Sequence, residues 1–141
     1  MKKLLSLMAL TLGAAQAQAP QMQKISDLSQ VLGLLSGQVD LYGDQIGSVP
    51  FQRGILTLAQ SKKITVRVLT STNSAANMKP LKAVGAQVYV LPTKITGAMV
   101  IVRNKAAIFP VQGGYNVLLG ATEANQVQLL MEQYWKAAKP Y

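Results

Sequence analysis

The stretch "TGAMVIVRNKAAIF", residues 96 to 109, decides how the rest of the chain is read. Two runs of small and branched apolar residues flank Arg103-Asn104-Lys105, so two cations crowd one turn. Almost every other position suits burial, which predicts a hairpin at the centre of a sheet. Asn104 fits a turn that needs positive φ. No acid stands near the basic tip in the sequence, and that raises the question of what the cations face.

Working outward, the chain alternates elements. Downstream, residues 122–138 predict a helix with Val127, Leu130, Met131, Tyr134, Trp135 and Ala138 on one stripe; the aromatic pair reads as core. "QGGYN" (112–116) offers two glycines and reads as the turn leading the chain out of the sheet, or as an anion nest of backbone donors. Upstream, "AQVYVLP" predicts a strand, preceded by a short helix from Met78 to Val84 that admits Pro80 only in its first turn and stops at Gly85. "ITVRVLT" (64–70) is a β-branched strand with Ile64, Val66 and Val68 on one side. Ser48 and Pro50 open a helix with Phe51, Ile55 and Leu58 on one face. "QVDLY" is a strand in which Val39 and Leu41 alternate with polar neighbours. Ser26-Asp27 caps a first helix bearing Leu28, Val31, Leu32 and Leu35, ended by Gly37. Strands alternating with helices predict one α/β layered domain over residues 25–141, with a mixed sheet flanked by helices.

Residues 1–17 read as a signal peptide. Lys2-Lys3 is the charged region, Leu4 to Ala15 the apolar run, and Ala15-Gln16-Ala17 the cleavage motif. Residues 18–24 read as a linker. The expectation is an exported protein, periplasmic or secreted, with no transmembrane span in the mature chain. There is no cysteine, hence no disulfide, lipid-attachment thiol or thiolate chemistry.

Fourteen Lys and Arg, less Lys2 and Lys3, leave twelve against five acids, about +7 for the mature chain. No acid occurs from residue 45 to 122, whereas nine cations do. Such a field attracts polyanions: nucleic acid, anionic lipid head groups or acidic envelope polymers. The candidate anion-binding residues are Lys62, Lys63, Arg67, Lys82, Arg103 and Lys105. The five acids, at 27, 40, 44, 123 and 132, are scattered. Asp40 and Asp44 lie near a strand end and read as solvent-facing turn carboxylates rather than metal ligands. No cofactor or metal is expected. A Ser–Lys dyad of Ser61 with Lys62 or Lys63 has only adjacency in its favour.

The order "PFQRGILTLAQSKKITVRVLT", "LKAVGAQVYVLP", "TGAMVIVRNKAAIF" resembles one half of a phospholipase D-like domain, and the resemblance runs from Ile25 to the C-terminus. In that family a helix ends in basic residues before a strand of the "VRVL" kind. A short helix then leads through Ala-Gly to a strand ending in Pro, and a buried hairpin carries an H-x-K-x4-D motif. Laid over this chain, the histidine falls on Thr96, the lysine on Ala98 and the aspartate on Arg103. Pro110, Val111 and Gly114 stand where the family continues with Gly-Ser and a later Asn. The family's mechanism needs one imidazole to attack phosphorus and another to protonate the leaving group. This chain has no histidine, so the resemblance implies a fold without that phosphodiesterase chemistry. It also implies a homodimer, since single halves pair around one pocket. Arg103 is expected at the mouth of the former phosphate pocket. Two readings follow: a non-catalytic module that binds a polyanion, and a structural or assembly protein of the cell envelope. A hydrolase of unrecognised mechanism is the third.

Overall fold

The computed structural model describes residues 22–141; the signal-peptide reading of residues 1–17 lies outside them. Eight strands form one sheet: β1 Met22–Ile25, β2 Gly37–Gly43, β3 Ile64–Ser71, β4 Gln87–Leu91, β5 Ala98–Val102, β6 Ala106–Val111, β7 Gly114–Leu119 and β8 Lys139–Pro140. Four α-helices accompany them: α1 Leu28–Leu32, α2 Val49–Gln60, α3 Lys79–Ala83 and α4 Ala121–Ala137, with a 3₁₀ segment Thr72–Met78 before α3. The strand order is β1-β7-β6-β5-β2-β3-β4-β8. β2, β3 and β4 are parallel, and every other pairing is antiparallel. This is the mixed, helix-flanked α/β sheet that the element pattern predicts.

The hairpin of residues 96–109 sits where its composition requires. From Met99 to Val102, β5 is buried on both faces, between β6 and β2. Val100 and Val102 pack with Val39, Leu41, Val66 and Val68 under α1 and α2. Met99 and Ile101 pack with Tyr42, Leu69, Ala107 and Phe109 under α4. A strand covered on both sides cannot alternate with polar residues, so it reads as an unbroken apolar run. Asn104 turns the chain at φ +64°.

Local chemistry sets the helix starts. The Asp27 carboxylate accepts from Ser29 N at 3.0 Å, and Ser48 Oγ accepts from Phe51 N at 3.4 Å. Pro50 follows in the first turn of α2, where its missing N–H leaves no bond unmade.

Some expectations are corrected. Met22–Ile25 is a strand paired with β7, so residues 22–24 belong to the sheet rather than to a linker. Gln112-Gly113 is a two-residue turn that returns the chain into the sheet as β7, rather than leading it out. Gly113 takes φ +81° there, and a Cβ on Gly114 would meet Ile25 O at 2.9 Å. The first helix stops at Leu32, and Gly37 opens β2 instead of ending α1. On α4 the buried stripe is Ala124, Val127, Met131 and Trp135, while Tyr134 is 43% exposed. Among the described residues, no helix is long and apolar enough to cross a membrane.

Candidate functional site

The two ends of the sheet differ in chemistry. β2, β3 and β4 start at one end, the amino end, where β5 finishes; β5 starts at the other, where those three finish.

Thr96, Gly97 and Ala98 lie at the carboxyl end of the parallel strands, lining a cleft of about 790 Å³ with Lys94, Pro110 and Tyr115. Lys94 is the one basic residue among those lining it. Asp44 is there too, but it is not a solvent-facing turn carboxylate. Its Oδ1 accepts from Ser71 N at 2.9 Å and Thr70 Oγ1 at 3.3 Å, and its Oδ2 from Ile95 N at 3.3 Å. Partial burial works against the carboxylate's charge, but these donors, led by Ser71, outweigh it and hold its pKa below the ordinary value. Asp44 thus ties the tips of β2 and β3 to the start of the hairpin segment.

The basic turn is at the opposite end. Ala98 and Arg103 are five steps apart on an extended strand, about 17 Å, so Arg103 is not at the mouth of this cleft. What it faces is Asp40. Arg103 Nε donates to Asp40 Oδ2 at 3.2 Å, while Arg67 Nε and a terminal nitrogen donate to Oδ1 and Oδ2 at 3.1 and 3.0 Å. Asp40 has no solvent exposure. The acid missing from the hairpin's neighbourhood in sequence is supplied by β2, 63 residues upstream. The reading of Asp40 as a surface turn carboxylate is corrected because α4 covers that face of the sheet.

The Arg67 guanidinium also stacks on Trp135, 3.7 Å from the ring centroid, and reaches Glu132 Oε1 at 3.4 Å. Burial weakens its charge, but hydrogen bonding and charge from Asp40 prevail and raise its pKa above the ordinary value. Trp135 Nε1 donates to the Tyr42 hydroxyl at 2.6 Å. Burial, then the charge of Asp40, pushes the Tyr42 phenol well above its usual range. Arg67 is therefore a structural cation, engaged by two carboxylates and an indole.

The other predicted cations divide. Lys62 and Lys63 immediately precede β3, and Arg103 and Lys105 flank the β5–β6 turn. Along β6-β5-β2-β3 these positions lie at the amino end, on three of four adjacent strands, in a row about 14 Å long at ~4.8 Å per strand. Ser36 sits between them, 3.5 Å from Lys105 Nζ. Lys62, Lys63 and Lys105 make no ion pair among the described residues. Lys82 is elsewhere: at the β4–β8 edge it donates to the Tyr141 carbonyl and sits 5.0 Å from that ring. The Ser61 hydroxyl points back at the Thr57 and Leu58 carbonyls (3.0 and 3.2 Å), so the Ser–Lys dyad is not formed. Among the described residues no three carboxylates gather.

Sequence reading missed Asp40, Glu132 and the Tyr42–Trp135 pair as one cluster, and Lys94 as a cleft residue. Asp40 did carry a signal: an acid between apolar neighbours in a strand of an α/β sheet is covered on either face, and needs a cation.

No protein-family model matches the sequence, and no curated protein matches it. Solved structures match the fold. Nuc from Salmonella typhimurium, a phospholipase D family member, superposes with a TM-score of 0.66 at 12% identity, over 86% of this chain and 98% of that one. NucT from Helicobacter pylori gives 0.57 at 13%, over 86% and 98%. TrmBL2, an archaeal chromatin protein whose structure shows a novel mode of DNA binding, gives 0.61 at 14%, over 99% of this chain and 61% of that one. The chain therefore has a phospholipase D-like α/β fold.

Proposed function

We propose that this chain is an exported, non-catalytic phospholipase D-like half that binds a polyanion, nucleic acid or anionic lipid, through the amino end of its sheet. The observation that carries the reading is the row of Lys62, Lys63, Arg103 and Lys105 at one end of the sheet, in which Arg103 alone has a carboxylate partner, the buried Asp40. A row of about 14 Å spans roughly four charges of one nucleic-acid strand at ~3.4 Å each. TrmBL2, similar in fold, is a chromatin protein that binds DNA, which favours nucleic acid.

Absence of catalysis rests on composition. Thr96 and Ala98 occupy the positions where the family's motif has its histidine and lysine, and the chain contains no histidine. The degenerate motif, the homodimer and the export belong to the same proposal. A second reading, an envelope assembly protein, is favoured by the solvent side of α4, where Leu129 is 73% exposed and Tyr134 43%.

Binding of the purified protein to duplex DNA, anionic vesicles and neutral vesicles at two salt concentrations tests the proposal. Affinity for DNA is expected to fall steeply with salt. The triple variant Lys62→Glu, Lys63→Glu, Lys105→Glu should lose affinity evenly across DNA sequences, because phosphate contacts position without specifying. Its salt slope should shrink by ~0.9 for each phosphate that is no longer neutralised. Binding that is insensitive to salt, or intact in the triple variant, would support the protein-partner reading instead.

A further inference from the structure

Helix α2 carries two stripes, and only one is spent on the core. Phe51, Ile55 and Ala59 are buried against the sheet. Val49, Gln52, Arg53 and Leu56 recur at the three- and four-residue spacing that shares a helix face. With Met78 and Leu81 from the facing segment they line a groove of about 610 Å³. That size is ordinary for a small-molecule site. The groove adjoins the Thr96 cleft at Asp44, Gln45 and Lys94 but has its own floor, made by Leu41, Ile46 and Ile55.

Its surface is amphipathic. The floor is apolar and buried, and at the mouth Val49 stands 57% exposed among the described residues. Arg53 and Lys94 line the rim, and neither has a carboxylate partner among the described residues. Asp44 is the one acid lining the groove, and its oxygens are taken up by Ser71, Thr70 and Ile95. Two cations and one engaged carboxylate leave a single positive charge beside an apolar channel.

We propose that this groove binds a long-chain alkyl carboxylate, its chain along Ile46, Leu56, Met78 and Leu81 and its head between Arg53 and Lys94. Burial of the chain supplies the attraction, and a guanidinium can meet a carboxylate with two parallel hydrogen bonds. The charge count selects the head group. A monoanion neutralises the rim, a neutral head leaves both cations unmet, and a dianionic phosphate sets its second charge against Asp44. A sugar-phosphate backbone has nothing to place on the floor, so this site is separate from the proposed polyanion surface at the other end of the sheet.

Titration calorimetry of the purified protein with dodecanoate, below its micellar concentration, tests the assignment. Dodecanoate is expected to bind one per chain, and dodecanol and acetate at least ten-fold more weakly. Arg53→Glu combined with Lys94→Glu should reduce dodecanoate affinity at least ten-fold. Both residues are exposed, so the fold should survive, which a circular dichroism spectrum would check. Lys62→Glu with Lys63→Glu should leave dodecanoate binding unchanged. Absence of dodecanoate binding, equal binding of dodecanol, or full affinity in the Arg53/Lys94 variant would overturn the proposal. So would association with anionic vesicles that is lost in the Arg53/Lys94 variant while soluble dodecanoate is not taken up, which would make this face a membrane contact.

Discussion

Asp40 shows how one residue can change the meaning of several others. A carboxylate with no solvent exposure needs its charge met inside the fold, and Arg67 and Arg103 both meet it. Asp40→Asn keeps the volume but leaves Arg103 without a counter-charge and Arg67 with Glu132 alone. It is expected to cost about 3–5 kcal/mol in urea unfolding. Replacing Asp40 with Leu together with Arg67→Met should recover a good part of that loss, since apolar substitutes for a buried pair are well tolerated. Asp44 gives a pH-dependent counterpart. Its carboxylate is more acidic folded than unfolded, so its contribution is present above an unfolded value of about 3.9. That contribution is lost as pH falls through the lower folded value. Asp44→Ala should therefore cost about 1–3 kcal/mol at pH 7. The gap between the wild type and the variant should narrow by pH 2.5, and urea midpoints at the two pH values would measure it. Which groups answer these carboxylates was not visible in sequence, because the two arginines and the donors to Asp44 lie 26 to 63 residues away.

At the scale of elements, what could be read and what could not separate along physical lines. β3, β5 and β6 were legible because central strands carry long apolar runs with no competing signal. α2 was legible through Ser48 and Pro50. β7 was hidden: "GYNVLL" begins with glycine and carries an asparagine, the composition of a loop, and only pairing with β6 and β1 makes it a strand. α4 was placed within a residue or two, yet its stripe was drawn too wide. The period admits both Tyr134 and Trp135, but a helix lying on a sheet buries a narrower face. Trp135 goes inward to stack on Arg67 and donate to Tyr42, while Tyr134 stays outside. The two aromatics should therefore behave unlike each other. Trp135→Ala is expected to cost about 3–5 kcal/mol, and Tyr134→Ala to stay within ~0.5 kcal/mol. Thermal unfolding of the two variants would check this.

For the whole molecule, the arrangement follows from the direction of β5. It runs antiparallel to β2, so the first and last positions of the hairpin's leading strand fall at opposite ends of the sheet. Sequence alignment of a motif over residues 96 to 103 conveys adjacency, whereas the strand converts it into separation. The candidate cations therefore sort by end rather than by proximity in the chain. Lys62, Lys63, Arg103 and Lys105 collect at the amino end, Lys94 serves the cleft, and Arg67 is drawn inside. The fold class and the basic character could be read from the residues. The placement of the cations required the register.

The two outermost strands bear on how the protein behaves in a crowded solution. Among the described residues the eight-stranded sheet has two outer margins, and each is finished briefly: β1 with four residues that include Lys24, β8 with two that include Pro140. Short, charged or proline-bearing margins are poor templates for a further strand. Beneath β8 lies "QVYVL" of β4, uncharged and β-prone, with Tyr141 N additionally donating to Val88 O at 2.9 Å. Removing residues 139–141 would bare that segment while leaving both hydrophobic layers in place. The shortened protein should fold and then self-associate, its light scattering rising over hours at concentrations where the intact chain stays clear. Residues 139–141 would then be what keeps β4 from pairing with a second copy.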